Sequence, residues 1–339
     1  MMTENTEHSR RRAWPAMIGA LILFAGVCAA APFFGVEWIS PQTLWGESET
    51  LQKIFWNYRV PRVLCGILAG GTLAVAGMVF QAVFRNPLAT PFTLGTAGGA
   101  ALGASLAIRF GAGALVVSSA YFSLSAVTVS AFAGALLSLA IVFAIAKMSG
   151  RFGDTEMLLA GVAVNFCFAS LIMLTQYVSD PTQTVRMLRW TMGGLDGATG
   201  VKALGMLLPW CVPTLAVLWM FSRELDLFCV GDETATARGV NIRRTRRTLL
   251  IITSLAVAAV VAVCGPIGFL GLMVPHIARR FVGAEHRLLF PITFLGGAAL
   301  LVACDALARS AIPPDEIPVG VITALLGGPF FMVLLAVRR

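Results

Sequence analysis

"VPRVLCGILAGGTLAVAGMVFQAVF", residues 60–84, carries one charged side chain, Arg62, in 25 residues. A helix needs about 20 apolar residues to cross the hydrocarbon core of a bilayer, so this stretch reads as a membrane span. Similar runs flank it on both sides. Spans are expected near 13–34, 60–84, 94–110, 121–146, 156–178, 201–221, 247–264, 266–280, 288–308 and 317–337, about ten crossings in all. The expected fold class is therefore an all-α polytopic membrane protein. Composition agrees: 58% of the 339 residues are hydrophobic, 12% are charged and the mean hydropathy is +0.83, beyond the apolar share of a soluble domain.

The first run follows Arg10, Arg11 and Arg12 and ends in "CAAAPFF", which has the outline of a secretory signal. It is longer than a typical signal core, and Pro32 follows its small residues directly, so it is read as an uncleaved first helix. Orientation follows from Lys and Arg, which cytoplasmic loops retain. With the N-terminus inside, that side holds Arg10 to Arg12, Arg85, Lys147, Arg151, Arg223, Arg238, Arg243, Arg244, Arg246, Arg247, Arg279, Arg280, Arg287, Arg338 and Arg339. The other side keeps Lys53, Arg59, Arg62, Arg109, Arg186, Arg189, Lys202 and Arg309. Both termini come out cytoplasmic. The net charge of +8 then expresses topology and lipid contact rather than nucleic-acid binding, which wants a clustered soluble basic face.

Reactive motifs are sparse. The seven cysteines lie in or beside apolar runs without CxxC spacing, as buried small hydrophobes do. His8, His276 and His286 are scattered without metal-ligand spacing. "GTAGGAALG" (95–103) follows no strand and lacks the Lys-Ser/Thr of a phosphate loop. Its Gly95, Gly99 and Gly103 recur every fourth residue, the spacing that lets membrane helices approach closely. Gly66 and Gly70 repeat the spacing. No enzyme chemistry, metal or cofactor is expected on this chain.

Two regions look interrupted. "DPTQTVRMLRWTMGGLDG" (180–197) is expected to form a short amphipathic helix at the outer interface. "GPIGFLGLMVPHIARR" (265–280) opens a very short crossing with Gly265, Pro266, Gly268 and Gly271. Backbone groups freed there are tolerated only around a cavity or a helix interface. A Gly- and Pro-punctuated segment also follows the second span ("RNPLATPFTLG", 85–95). If each half holds five crossings, the halves are inverted repeats, an arrangement common among transporters. A different kind of interruption is "GDETATARGVNIRRTRR" (231–247), polar between two spans. Asp232 and Glu233 suit a helix N-terminus, Arg238 its other end, and Gly239 a C-cap, so two turns of helix are expected there.

Six blocks in order resemble the permease subunits of bacterial ATP-binding-cassette importers for iron-siderophores, haem and cobalamin, the iron-chelate uptake permeases (FecCD-type, type II importers). They are "YRVPRVLCGILAGGTLAVAGMVFQAVFRNPLATPFTLGTAGGA" (58–100), "LLAGVAVN" (158–165), "RWTMGGL" (189–195), "GDETATARGVNI" (231–242), "GPIGFLGLMVPHIARR" (265–280) and "EIPVGVITALLGGPFF" (316–331). The resemblance implies a single permease domain over 1–339, with a cytoplasmic tail at 1–12 and a coupling-helix loop at 222–246. It implies an identical partner copy, two cytoplasmic ATPase subunits that hold ATP and Mg, a periplasmic substrate-binding protein and the bacterial inner membrane. Gly231, Asp232, Glu233, Ala237, Arg238 and Gly239 would meet the ATPase. Arg59, Arg62 and Arg309 would meet acidic residues of the binding protein. Asp154 and Thr155 match a cytoplasmic gate, although an acidic Asp154 departs from the family's small hydroxyl residues and also suits a helix cap.

The cargo implied is a ferric siderophore or haem, with cobalamin as the alternative. An ion-driven secondary transporter would show ionisable residues within its spans, and the middles of these runs are almost free of them. A membrane enzyme or scaffold would need a reactive cluster or no ATPase partner.

Overall fold

A computed structural model describes the backbone of residues 2–44, 49–111, 116–118, 123–148, 154–197 and 200–337, and their side chains except at 2–13, 43, 44, 118, 123, 154 and 335. Among the described residues, fourteen α-helices follow one another: α1 (Met2–Ala30), α2 (Glu49–Ile54), α3 (Val60–Val83), α4 (Thr96–Arg109), α5 (Ala126–Met148), α6 (Asp154–Tyr177), α7 (Pro181–Met192), α8 (Val201–Met220), α9 (Ser222–Val230), α10 (Asp232–Ala237), α11 (Ile242–Cys264), α12 (Leu270–Val282), α13 (His286–Ser310) and α14 (Val319–Val337). Short antiparallel strands β1 (Val116–Ser118) and β2 (Ser123–Ser125) pair with Val117 opposite Leu124.

Each expected span has its helix: α1, α3, α4, α5, α6, α8, α11, α12, α13 and α14. Among the described residues, seven spans are long and apolar enough to cross a membrane by themselves, one of them the 35-residue Glu49–Val83, in which a π-turn at Phe55–Arg59 joins α2 to α3. The short ones are instructive. α4 has 14 residues and α12 has 13, about 20 Å of helix against a hydrocarbon core of about 30 Å. Irregular backbone precedes each, a 3₁₀ turn at Pro91–Leu94 before α4 and residues 265–269 before α12. Both helices start after a left-handed residue, Gly95 at φ 82° and Phe269 at φ 67°.

These are the two Gly- and Pro-punctuated segments picked out in the sequence. The eighth crossing accordingly begins at Leu270 rather than 266, because Phe269 turns the chain first. The backbone freed at this break is satisfied by protein. Gly194 N–H donates to Cys264 O at 2.8 Å, Leu270 N–H to Gly268 O at 2.9 Å and Met273 N–H to Phe269 O at 2.9 Å.

The centre of the bundle is α3, which packs on α13, α12, α8 and α11. Its span is 83% buried, whereas that of α1 is 11% buried. Glycine makes this depth possible: a methyl at Gly70 would strike the Gly297 carbonyl, and one at Gly77 the Gly271 carbonyl. The α4–α5 seam works alike, with Gly99 against Gly134 O and Gly103 against Ser130 O. The fourfold glycine spacing is thus a packing device. Close approach of small residues replaces the hydrophobic drive that lipid cannot supply.

Three local features differ from expectation. α1 is helical from Met2 rather than from near 13, since residues 2–12 contain no Gly or Pro to stop a helix. The fourth crossing begins at Ala126 rather than 121, because Ser123–Ser125 form β2. α9 was not foreseen, and its nine residues precede the polar insert.

Candidate functional site

Polar structure gathers at the two ends of α3. At the Arg85 end stands the insert. α9 buries Ser222, Leu225, Leu227 and Phe228, and Gly231, at φ 142°, turns the chain into α10. Asp232 and Glu233 occupy the first turn of α10, where acidic groups complement the helix dipole. The helix stops in a Schellman motif: Gly239 N–H donates to Thr236 O at 2.9 Å and Val240 N–H to Ala235 O at 3.0 Å. Gly239, at φ 82°, takes the left-handed position that glycine fills without Cβ strain. Asn241 then caps α11 by accepting from Arg244 N–H at 3.0 Å. The expected capped helix is present, at six residues, with both joints fixed.

Carboxylates fasten this insert to three membrane helices. Asp226 of α9 accepts from the His286 backbone N–H at 2.8 Å, and its Oδ1 lies 2.6 Å from His286 Nδ1, at the start of α13. Asp232 Oδ1 accepts from Arg85, just beyond α3, at 2.8 Å. Its Oδ2 lies 3.8 Å from Arg246 of α11. Behind α10 lies a 280 Å³ cavity lined by Asp232, Ile242, Arg243, Arg246, Arg247 and Leu250. Ala235 is buried, while Glu233, Ala237, Arg238 and Gly239 are exposed. Of the residues singled out in the sequence, Asp232 therefore faces the bundle and the others mostly face away from it. Nearby, Gln81 of α3 donates to Gly271 O at 3.0 Å and accepts from Arg279, joining the same end of α3 to α12.

At the opposite end, Arg62 donates to Asp305 Oδ1 through Nε at 3.1 Å and Nη2 at 2.9 Å, and pairs with Glu316 at 2.9 Å. Arg309 Nε lies 3.0 Å from the other Asp305 oxygen, and its Nη1 donates to Phe34 O at 3.0 Å. Arg59 donates to the carbonyls of Pro32 and Phe33 at 3.1 Å and of Glu37 at 2.7 Å. Arg62 is 8% exposed, Arg309 3% and Asp305 1%.

The three arginines singled out in the sequence do converge, but not as free surface charges. Arg62 and Arg309 are buried on a shared carboxylate, and Arg59 is half-buried on main-chain carbonyls. A buried charge must be paired, and Asp305 supplies the pairing. Sequence reading missed Asp305. It is the one acidic residue in the 288–308 run, and an ionisable residue in a span marks a partnered position.

Thr155 lies in the first turn of α6 and is exposed, and Asp154 is the first residue of that helix. The Asp154 side chain lies outside the described residues.

A bundle of apolar helices interrupted by glycine-lined breaks, with its polar groups at the two ends, is the architecture of a transport permease. The profile of the FecCD transport family matches residues 20–337. The chain is 39% identical over 332 residues, 95% of its length and 96% of the relative's, to the hemin transport system permease protein HmuU of Yersinia pestis. It is 37% identical over 306 residues, 90% and 92%, to the Fe(3+) dicitrate transport system permease protein FecD of Escherichia coli. With the cobalamin import system permease protein BtuC of Halobacterium salinarum it shares 40% over 296 residues, 87% of this chain and 76% of that one. A solved chain assigned to a metal-chelate type ABC transporter in an inward-facing conformation superposes with a TM-score of 0.82 at 30% identity, covering 94% of this chain and 98% of that one. The protein is a multi-pass permease of the ABC importer class. It belongs to the FecCD transport family.

Proposed function

We propose that this permease moves a ferric siderophore or haem from periplasm to cytoplasm by alternating access, as one of two identical copies in the bacterial inner membrane with both termini inside. The observation that carries the cargo class is the full-length similarity to a hemin permease and a ferric dicitrate permease. Cobalamin is the second reading, favoured by the 40% identity to a cobalamin permease.

Hydrolysis of ATP, with its Mg, is assigned to two cassette subunits on the Arg85 end. α10 is the contact: a short helix with fixed joints, presenting Glu233, Ala237, Arg238 and Gly239 outward, passes on displacement that a floppy loop would absorb. A periplasmic binding protein docks on the other end. There Arg59 is hydrogen-bonded to main-chain carbonyls rather than locked in a carboxylate pair, so it can turn its charge to the receptor, while Arg62 and Arg309 hold that surface in register through Asp305. Charge pairs of this kind speed encounter and fix register more than they add affinity. Asp154 and Thr155 are assigned to the cytoplasmic gate at the start of α6. Five crossings in each half make the halves inverted repeats, each with one short helix entered through a left-handed residue. An ion-driven carrier is disfavoured because Asp305 lies between two arginines, which leaves no free carboxylate there to relay a proton.

The test is uptake by a deletion strain of the native host, supplied in parallel with labelled ferric siderophores, haemin and cobalamin, with and without this gene restored. Restoration of one iron chelate supports the leading reading. Restoration of cobalamin alone replaces it with the second, and uptake that survives ATP depletion removes the ABC mechanism.

A further inference from the structure

Two helices that meet at the insert end in the same hydrogen-bond pattern with different residues. After α10 the left-handed position is Gly239. After α3 it is Arg85: its N–H donates to Ala82 O at 3.3 Å, that of Asn86 to Gln81 O at 3.2 Å, and φ is 47°. A glycine there would be free of Cβ strain, and a strained residue persists where its surroundings hold it. The two backbone hydrogen bonds close the turn, and from it the Arg85 side chain reaches Asp232 at 2.8 Å across 147 residues of sequence. The pair is 40% and 44% exposed, and exposed pairs add little to stability. Its contribution is to position.

We infer that Arg85 is a positioning residue that ties α10 to the end of α3, so that displacement imposed on α10 passes into α3 through the Arg85–Asp232 ion pair. The inference rests on α10 being the ATPase contact. α3 is suited to receive the displacement, since Gln81 and Gly77 join it to α12 and Arg62 joins it to α13.

The test uses the assembled importer with its cassette subunits in lipid nanodiscs, compared by hydrogen-exchange mass spectrometry before and after trapping with ATP and vanadate. In the wild type, trapping is expected to change exchange in 231–240 and, by about two- to five-fold, in 84–95, the scale of an exposed ion pair. In Arg85→Gly and Asp232→Asn the response at 231–240 persists while that at 84–95 falls to less than half, and Arg85→Lys restores it. Arg85→Gly also keeps or raises the thermal midpoint, which a merely structural role would lower.

An undiminished response at 84–95 in both neutral variants, or none there in the wild type, overturns the link and leaves α10 as the contact. No response at 231–240 in the wild type overturns both. Because the two neutral variants lie on different elements, one that fails to insert leaves the other to decide.

Discussion

The two ends of α3 use the same chemistry, arginine on aspartate, in opposite surroundings. Asp305 is 1% exposed between Arg62 and Arg309, whereas Asp232 is 44% exposed beside Arg85. Buried charges are held because separating them leaves a bare charge in a poor solvent. Exposed ones exchange partners with water at little expense. One end is therefore held by a buried pair and the other by a pair that water can replace.

Breaking the buried end should have the largest effect. Asp305→Ala leaves buried Arg309 without its carboxylate and Arg62 with Glu316 alone, and is expected to cost about 3–5 kcal/mol, read as lost thermal stability in detergent. A loss below about 1 kcal/mol, the scale of an exposed pair, would erase the difference between the ends. Next comes the strut between them. Gly77→Val drives a side chain into the Gly271 carbonyl and should cost about 1–3 kcal/mol as overpacking; normal accumulation and midpoint would mean that α3 and α12 separate freely.

Arg59→Glu sharpens the comparison functionally. Docking of the binding protein should fall with its carboxylate exchanged for the native charge, and recover when an acidic residue of the receptor is reversed in turn. Docking unaffected by the reversal would make Arg59 a purely internal brace. The smallest stability effect is expected at exposed Ala237. Ala237→Arg should stay within about 0.5 kcal/mol of the wild type while uptake per ATP hydrolysed collapses. Unchanged uptake would remove α10 from the coupling path.

What was legible in the sequence divides along the same line. Apolar length located every crossing, because crossing a bilayer is a property of one segment, and "GDETATARG" announced α10 through capping chemistry that is also local. The glycines at fourfold spacing gave the seams of α4 and α3 for the same reason. Partnership across the chain was not legible. Arg62 and Asp305 are 243 residues apart, so Arg62 looked like a surface charge until its partner was visible, and Asp305 drew no notice. α9 was hidden because "SRELDLFCV" mixes charge with apolar residues too briefly to stand out beside the spans. The left-handed entry at Phe269 was equally hidden, since nothing in that residue type announces a positive φ.

Gly70 on Gly297 and Gly77 on Gly271 bring main chain against main chain, with no side chain between to deform. A joint of that kind behaves as a hard stop rather than a cushion: α3 has little room to compress there. Its 24 residues make an arm about 36 Å long. If it turned about one end, a tilt of about 5° would carry the other end through about 3 Å on that length, about the length of a hydrogen bond.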